Sequence, residues 1–160
     1  LIIILLVAIS LLYFILAAQF ESIIQPLIIL SEIVVDVFFV LLGLWLFGES
    51  LNIMSMIGLV VMSGIIINDS ILKVDTINRL RKQGMPVLKA VFAGGHSRLK
   101  PIIMTSLTTI LAIAPFLNRV DMGSDLQYPL SLSIIIGMTV GTLISLFFIP
   151  LIYYIIYRKR

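Results

Sequence analysis

Ionisable side chains inside apolar runs are the residues of this chain that could do chemistry. Glu32 and Asp36 stand four apart in one such run, so they share a helix face. Asn68 and Asp69 stand near the end of another, followed by Lys73 and Asp75. Arg98 and Lys100 open a further run, and Thr105 lies two helical turns beyond Arg98, on a similar face. An ionisable group at bilayer depth costs about 2.5–3.5 kcal/mol on insertion scales and usually serves a function. The chemistry open to such a set is the loading and release of protons by carboxylates in a low-dielectric core, tuned by neighbouring cations.

Each group also has a plainer reading. Lys73, Asp75 and Lys100 read as interfacial residues whose stems lie in apolar surroundings while their heads reach water. Arg98 reads equally as an interfacial anchor or a buried partner. Thr105 could bond its own helix backbone. Glu32 and Asp36 could be a polar stripe sealing this segment against another part of a larger protein. Asp69 is the hardest to explain without a function, because it sits well inside an apolar run.

The elements that must position these groups follow from composition. Of 160 residues, 61% are hydrophobic and 12% charged, and the mean hydropathy is +1.21. Soluble domains are about 45–50% apolar and about 25% charged, so the solvent of this chain is mostly lipid. Crossing about 30 Å of hydrocarbon takes roughly 20 helical residues, and open sheets cannot span lipid with unpaired edges. Five apolar runs qualify: 1–18, 26–47, 53–74, 101–117 and 129–157. The fold class expected is therefore an all-α membrane protein with five transmembrane helices. Between the third and fourth runs, Val87, Leu88, Val91 and Phe92 recur at helical spacing. They predict a short amphipathic interfacial helix over about 86–93, ended by Gly94-Gly95. Gly137 and Gly141 make a G-x-x-x-G in the fifth run, a spacing for close helix packing.

Charge placement sets orientation. The segment from Lys73 to Lys100 carries seven basic residues and the C-terminal tail three more, against Arg119 alone on the opposite side. By the positive-inside rule the long connection and the C-terminus are cytoplasmic, and Leu1 starts on the far side. The absence of Cys removes disulfides, thiolate zinc sites and cysteine nucleophiles. A single histidine, His96, reads as a loop residue and builds neither a metal site nor a catalytic triad. No metal ligand set, catalytic residue set, phosphate loop or nucleotide site is apparent. The basic connection is explained by its place beside membrane spans, not by nucleic acid. The chain opens apolar at Leu1 without a charged leader, so it reads as part of a longer protein and not as a signal peptide.

Four stretches together resemble the resistance-nodulation-division (RND) superfamily of proton-driven efflux pumps, in its hydrophobe/amphiphile exporter branch. Gly64-Ile-Ile-Ile-Asn-Asp-Ser-Ile-Leu-Lys-Val-Asp75, running on to Ile77-Asn78-Arg79-Leu80-Arg81, looks like the family's tenth helix and its exit. Arg98-Leu-Lys-Pro-Ile-Ile-Met-Thr-Ser-Leu107 resembles the start of the eleventh. Gly123-Ser-Asp-Leu-Gln-Tyr-Pro129, with the later Phe148-Ile149-Pro150, resembles the turn into the twelfth. Ala17-Ala-Gln-Phe-Glu-Ser22 with Pro26 looks like the turn between the eighth and ninth.

The resemblance implies helices eight to twelve of a twelve-helix bundle in the bacterial inner membrane, with a cytoplasmic C-terminus. It implies a secondary active transporter working by proton antiport, not an enzyme, with protons as coupling ion and no cofactor. The partners implied are the N-terminal half of the same pump, two further copies in a homotrimer, a periplasmic adaptor and an outer-membrane channel. Asn68 occupies the position where the tenth helix often has a Lys, and Asp69 follows it. Arg98 and Thr105 match relay residues of the eleventh helix. Glu32 and Asp36 depart from the family, whose ninth helix is apolar there. The rival readings are a membrane scaffold or assembly domain, and a lipid-exporting or protein-translocating relative.

Overall fold

The computed structural model describes residues 2–118 and 123–158. Arg119, Lys159 and Arg160, which entered the charge count, lie outside the described residues, as does Leu1. Five α-helices follow one another: α1 Ile2–Phe20, α2 Ile24–Leu46, α3 Ile53–Lys82, α4 Val87–Ile113 and α5 Ser124–Tyr157, with a 3-10 turn, Ala114–Leu117, after α4. No strand occurs among the described residues. Helices α2 and α3, the α4 segment with its 3-10 turn, and α5 are each long and apolar enough to cross a membrane; Leu6–Phe20 in α1 is a shorter apolar stretch.

Local chemistry sets the ends. Asn52 opens α3 with a reciprocal cap: its Oδ1 accepts from the Ser55 N–H at 2.8 Å, and the Ser55 hydroxyl accepts from the Asn52 N–H at 3.0 Å. Helices α2 and α3 end alike. Gly48 and Gly84 adopt positive φ just past the helix ends. The N–H groups of Glu49 and Met85 reach back to the carbonyls of Leu44 and Leu80. This is the paired-bond stop that glycine permits.

Gly94 and Gly95 do not stop α4. Neither has positive φ, and the helix runs unbroken from Val87 to Ile113 with Pro101 inside it. The separate interfacial helix over 86–93 and the distinct span at 101–117 are thus parts of one helix. Gly94 is small for another reason. A Cβ there would lie 2.6 Å from Ile77 Cγ1, so it marks where α4 crosses α3. The periodicity of residues 87–92 reflects this contact, since Ala90 and Val91 are buried beside Ile77.

Helix α5 is central and touches α2, α3 and α4. Its buried face repeats every four residues through Ser133, Gly137, Gly141, Ser145, Ile149 and Tyr153. A Cβ on Gly137 would meet Met62 Sδ at 2.4 Å, and one on Gly141 would meet Ile66 Cδ1 at 2.3 Å. The two glycines therefore let α5 lie close on α3. Two apolar clusters result. One, near the α1–α2 turn, includes Ile28, Ile29, Val74, Ile77, Ile149 and Tyr153. The other, toward the opposite end, includes Val40, Leu44, Met62, Ile66, Leu132 and Met138. On each of α2, α3 and α5 the residues between the two clusters include polar ones, and these form the site.

Candidate functional site: a charged layer inside the bundle

Four ionisable side chains occupy this layer. Lys73 is 0% exposed, Glu32 1%, Asp36 2% and Asp69 8%. Helix periodicity explains the grouping. Glu32 and Asp36 follow Ile28 and Ile29 on the inward face of α2 and precede Val40. Asp69, Ser70 and Lys73 continue the inward face of α3 between Ile66 and Ile77.

A chain of hydrogen bonds joins them across three helices. The Lys73 ammonium donates to the Ser145 hydroxyl at 2.7 Å and to the Ser145 carbonyl. The hydroxyls of Ser145 and Ser70 lie 3.1 Å apart. Ser70 donates to Glu32 Oε2. With Glu32 ionised, the direction of each bond follows. Ser70 has one hydroxyl proton and gives it to Glu32, and an ammonium only donates. The Ser145 proton is therefore directed to the Ser70 oxygen. The polarity runs Lys73, Ser145, Ser70, Glu32 without a break.

The rest of the layer is underpaired. Glu32 Oε1 and both oxygens of Asp36 are buried without a hydrogen-bond partner. Gly141 faces Asp36: a Cβ there would lie 3.4 Å from Asp36 Oδ2, so the glycine leaves the carboxylate room. Asp69 stands one turn from Lys73 on α3, and the ammonium feels the charges of both Asp69 and Glu32.

Lys73 therefore does not snorkel, because α3 continues to Lys82 and places it well inside the helix. Asp75 does lie toward water, where it pairs with Arg79 at 3.2 Å. Lys100 is exposed. Arg98 is half-buried, and its Nε donates to the Thr76 hydroxyl at 2.8 Å, not to a carboxylate. Asn68 is exposed on α3. Thr105, matched to the relay by resemblance, is exposed and follows its plainer reading, its hydroxyl donating to the Pro101 carbonyl of its own helix at 3.0 Å. The next residue, Ser106, takes the inward place and meets Thr142 of α5. The structure thus separates the candidates. Glu32, Asp36, Asp69 and Lys73 share the interior, whereas Asn68, Arg98 and Thr105 lie outside that layer.

A second polar cluster closes the end of the bundle near the α1–α2 turn. Gln25 and Asn78 exchange hydrogen bonds at 3.0 and 2.7 Å. Gln25 also donates to the Tyr157 hydroxyl at 3.1 Å, and Arg81 donates to the Tyr153 hydroxyl at 3.2 Å. Sequence reasoning singled out none of Ser70, Ser145, Gln25, Tyr153 or Tyr157. Ser145 alone carried a signal, since it extends the spacing of Gly137 and Gly141 by one more step of four.

A model of the AcrB/AcrD/AcrF family matches residues 1–157. The chain belongs to this family. It is 35% identical over 149 residues to the multidrug resistance protein MdtC of Erwinia amylovora, covering 92% of this chain and 15% of that protein. It is 30% identical over 156 residues to the swarming motility protein SwrC of Bacillus subtilis, covering 97% of this chain and 15% of that one. The chain therefore spans about 15% of the length of these curated relatives. A crystal structure of a heavy metal efflux pump superposes with a TM-score of 0.88 at 29% identity, covering 99% of this chain and 16% of that pump. The chain is thus an all-α membrane segment of an RND transporter, in a family of transporters and not of catalytic enzymes.

Proposed function

We propose that this chain is the C-terminal membrane part of an exporter that uses the proton-motive force to drive small molecules out of the cell envelope. One observation carries the reading. Asn68 on α3 and Thr105 on α4 are polar, sit within long apolar helices and are exposed in this chain. Polar groups at bilayer depth turn toward protein or a water-lined path, not toward lipid. A further set of helices from the same pump would cover this face and bring the acids that Arg98 lacks here. The relay is then Asn68, Asp69, Arg98 and Thr105, completed by the N-terminal half. The coupling ion is the proton, and no cofactor takes part.

The remaining expectations belong to the same reading. The chain lies in the bacterial inner membrane with its C-terminus in the cytoplasm. The whole pump assembles as a homotrimer with a periplasmic adaptor and an outer-membrane channel. The test is Arg98→Ala in the longer protein that carries this chain. Export falls to the level of cells without the pump, while membrane insertion and assembly stay normal. Full export by a correctly assembled variant would defeat the reading and favour a scaffold role.

A further inference from the structure

The layer between the two apolar clusters does more than this relay requires. An ionised carboxylate out of water is tolerated only with a partner charge and hydrogen bonds. Glu32 has one such arrangement, through Ser70 and Ser145 to the Lys73 ammonium. Asp36 has none. It is 2% exposed, and neither of its oxygens has a hydrogen-bond partner.

The groups around it are few. Helix α2 supplies Glu32 one turn away, and α3 supplies Asp69 and Lys73. Helix α5 supplies Gly141 and Ser145, neither ionisable. Helix α1 contains no charged residue. Arg98 of α4 is engaged by Thr76. Three acids thus share one ammonium. The layer is short of positive charge, and the shortage falls on Asp36.

We propose that Glu32 and Asp36 form a second proton-holding site, self-contained within this half of the pump and served by the line Lys73–Ser145–Ser70. Asp36 holds a proton taken from water. Along the line, Lys73 passes one ammonium proton to the Ser145 oxygen, Ser145 passes its own to Ser70, and Ser70 passes its own to Glu32 Oε2. Three N–H or O–H bonds break and three O–H bonds form. Lys73 ends as a neutral amine and Glu32 as a neutral acid, and reversal restores the start. No electron moves. Asp69, 8% exposed beside the exposed Asn68, stands one turn from Lys73, toward the face where the relay proposed above is completed. The site's part in export rests on that reading; its holding of a proton does not.

The experiment is therefore spectroscopic first. The full-length pump is purified in lipid, and the infrared C=O stretch of protonated carboxyl groups is recorded with hydrogen and with deuterium. At neutral pH the unaltered pump shows a buried carboxyl band that is lost in Asp36→Asn. Lys73→Met removes the one ammonium that offsets Glu32, so it gains a second band, absent from the Lys73→Met, Glu32→Gln double variant. Ser70→Ala shifts that second band, because the acid loses its hydrogen-bond partner. An unchanged spectrum in Asp36→Asn, or no new band in Lys73→Met, overturns the proposal. If Asp36→Asn does not assemble, Lys73→Met and its double variant decide alone. Export is then measured in parallel. Ser70→Ala and Ser145→Ala slow proton-driven export without weakening substrate binding. A pump whose spectra behave as described but whose export ignores protons would keep the site and reject the exporter reading. A buried band that disappears when sodium is added at fixed pH would show a sodium site and overturn the proposal.

Discussion

Alanine at Gly94 and at Gly95 tests the continuity of α4 and its contact with α3 in one comparison. The two residues are neighbours in the same helix, so the intrinsic gain from Gly to Ala, about 0.8–1.0 kcal/mol, applies to both. Their surroundings differ. A Cβ on Gly95 meets nothing within 4 Å, whereas one on Gly94 lies 2.6 Å from Ile77 Cγ1 and 3.4 Å from the Ile77 backbone. Ile77 is 0% exposed and cannot swing away. Overpacking of this kind costs typically about 1–3 kcal/mol. Gly95→Ala is thus expected to stabilise by about 1 kcal/mol. Gly94→Ala is expected to lie between neutral and about 2 kcal/mol destabilising once overpacking is set against propensity. The difference between them isolates the overpacking, since propensity cancels. Gly84→Ala calibrates the alternative. Gly84 also has nothing within 4 Å but sits at φ +89°, so its alanine costs about 1–2 kcal/mol from the backbone alone. The assay is helical circular dichroism during SDS titration of the chain in mixed micelles. If Gly95→Ala destabilised as Gly84→Ala does, the helix would end there and the α4 described above would be wrong. If Gly94→Ala gained as much as Gly95→Ala, the close crossing at Ile77 would be wrong.

Two further outcomes follow from the ends of the helices. Asn52→Ala removes the reciprocal cap of α3 and should cost about 1 kcal/mol in the same titration, while Ser50→Ala, outside the cap, should leave the midpoint unmoved. The chain has no Cys of its own, so single cysteines report sidedness. An impermeant thiol reagent applied from outside should label a cysteine at Gln127 but not one at Gln83 or His96, and labelling at Gln83 in sealed cells would reverse the orientation.

Much of the fold was legible because a membrane allows few solutions. Long apolar runs become helices, whereas the stops at Gly48 and Gly84 show only in their positive φ. The misreading at Gly94-Gly95 arose because a glycine that ends a helix and one that admits a neighbour look alike in sequence. Only the α3 crossing at Ile77 distinguishes them. The acids were conspicuous because their types are costly in lipid. The serines were not. Ser10, Ser63 and Ser133 each bond a carbonyl of their own helix, and nothing local separates them from Ser70 and Ser145, which reach across to other helices. Lys73 was misplaced for a related reason. A lysine near the end of an apolar run suggests an interfacial head, but α3 continues past it to Lys82. Thr105 failed by one residue. Arg98 and Thr105 are two turns apart, yet the buried side of α4 runs through Gly94, Ile102 and Ser106, about 100° around the helix from Thr105.

The composition of the charged layer argues against its being a seal. Sealing α2 against its neighbours would be served by apolar side chains. Replacing a buried ion pair by well-packed hydrophobic residues is often neutral or stabilising by about 1–4 kcal/mol. Such residues were available, since Val40, Met62 and Met138 fill the equivalent space one cluster away. Here three acids share the layer with one ammonium, and three of their oxygens, on Glu32 and Asp36, have no hydrogen-bond partner. Unmade bonds of that kind weaken a seal, but a protonated acid tolerates them better than a carboxylate does. A carboxylate fully held by donors is favoured in its charged form, and one open to water cannot hold its proton against exchange. Glu32 and Asp36 avoid both conditions because α5 approaches closely at Gly137 and Gly141, while Ser145, one turn further, bonds both Ser70 and Lys73. The small-residue stripe and the charged layer are therefore one device. The glycines bring the helix in, and the serine that continues their spacing joins the charge on α3 to the acid on α2.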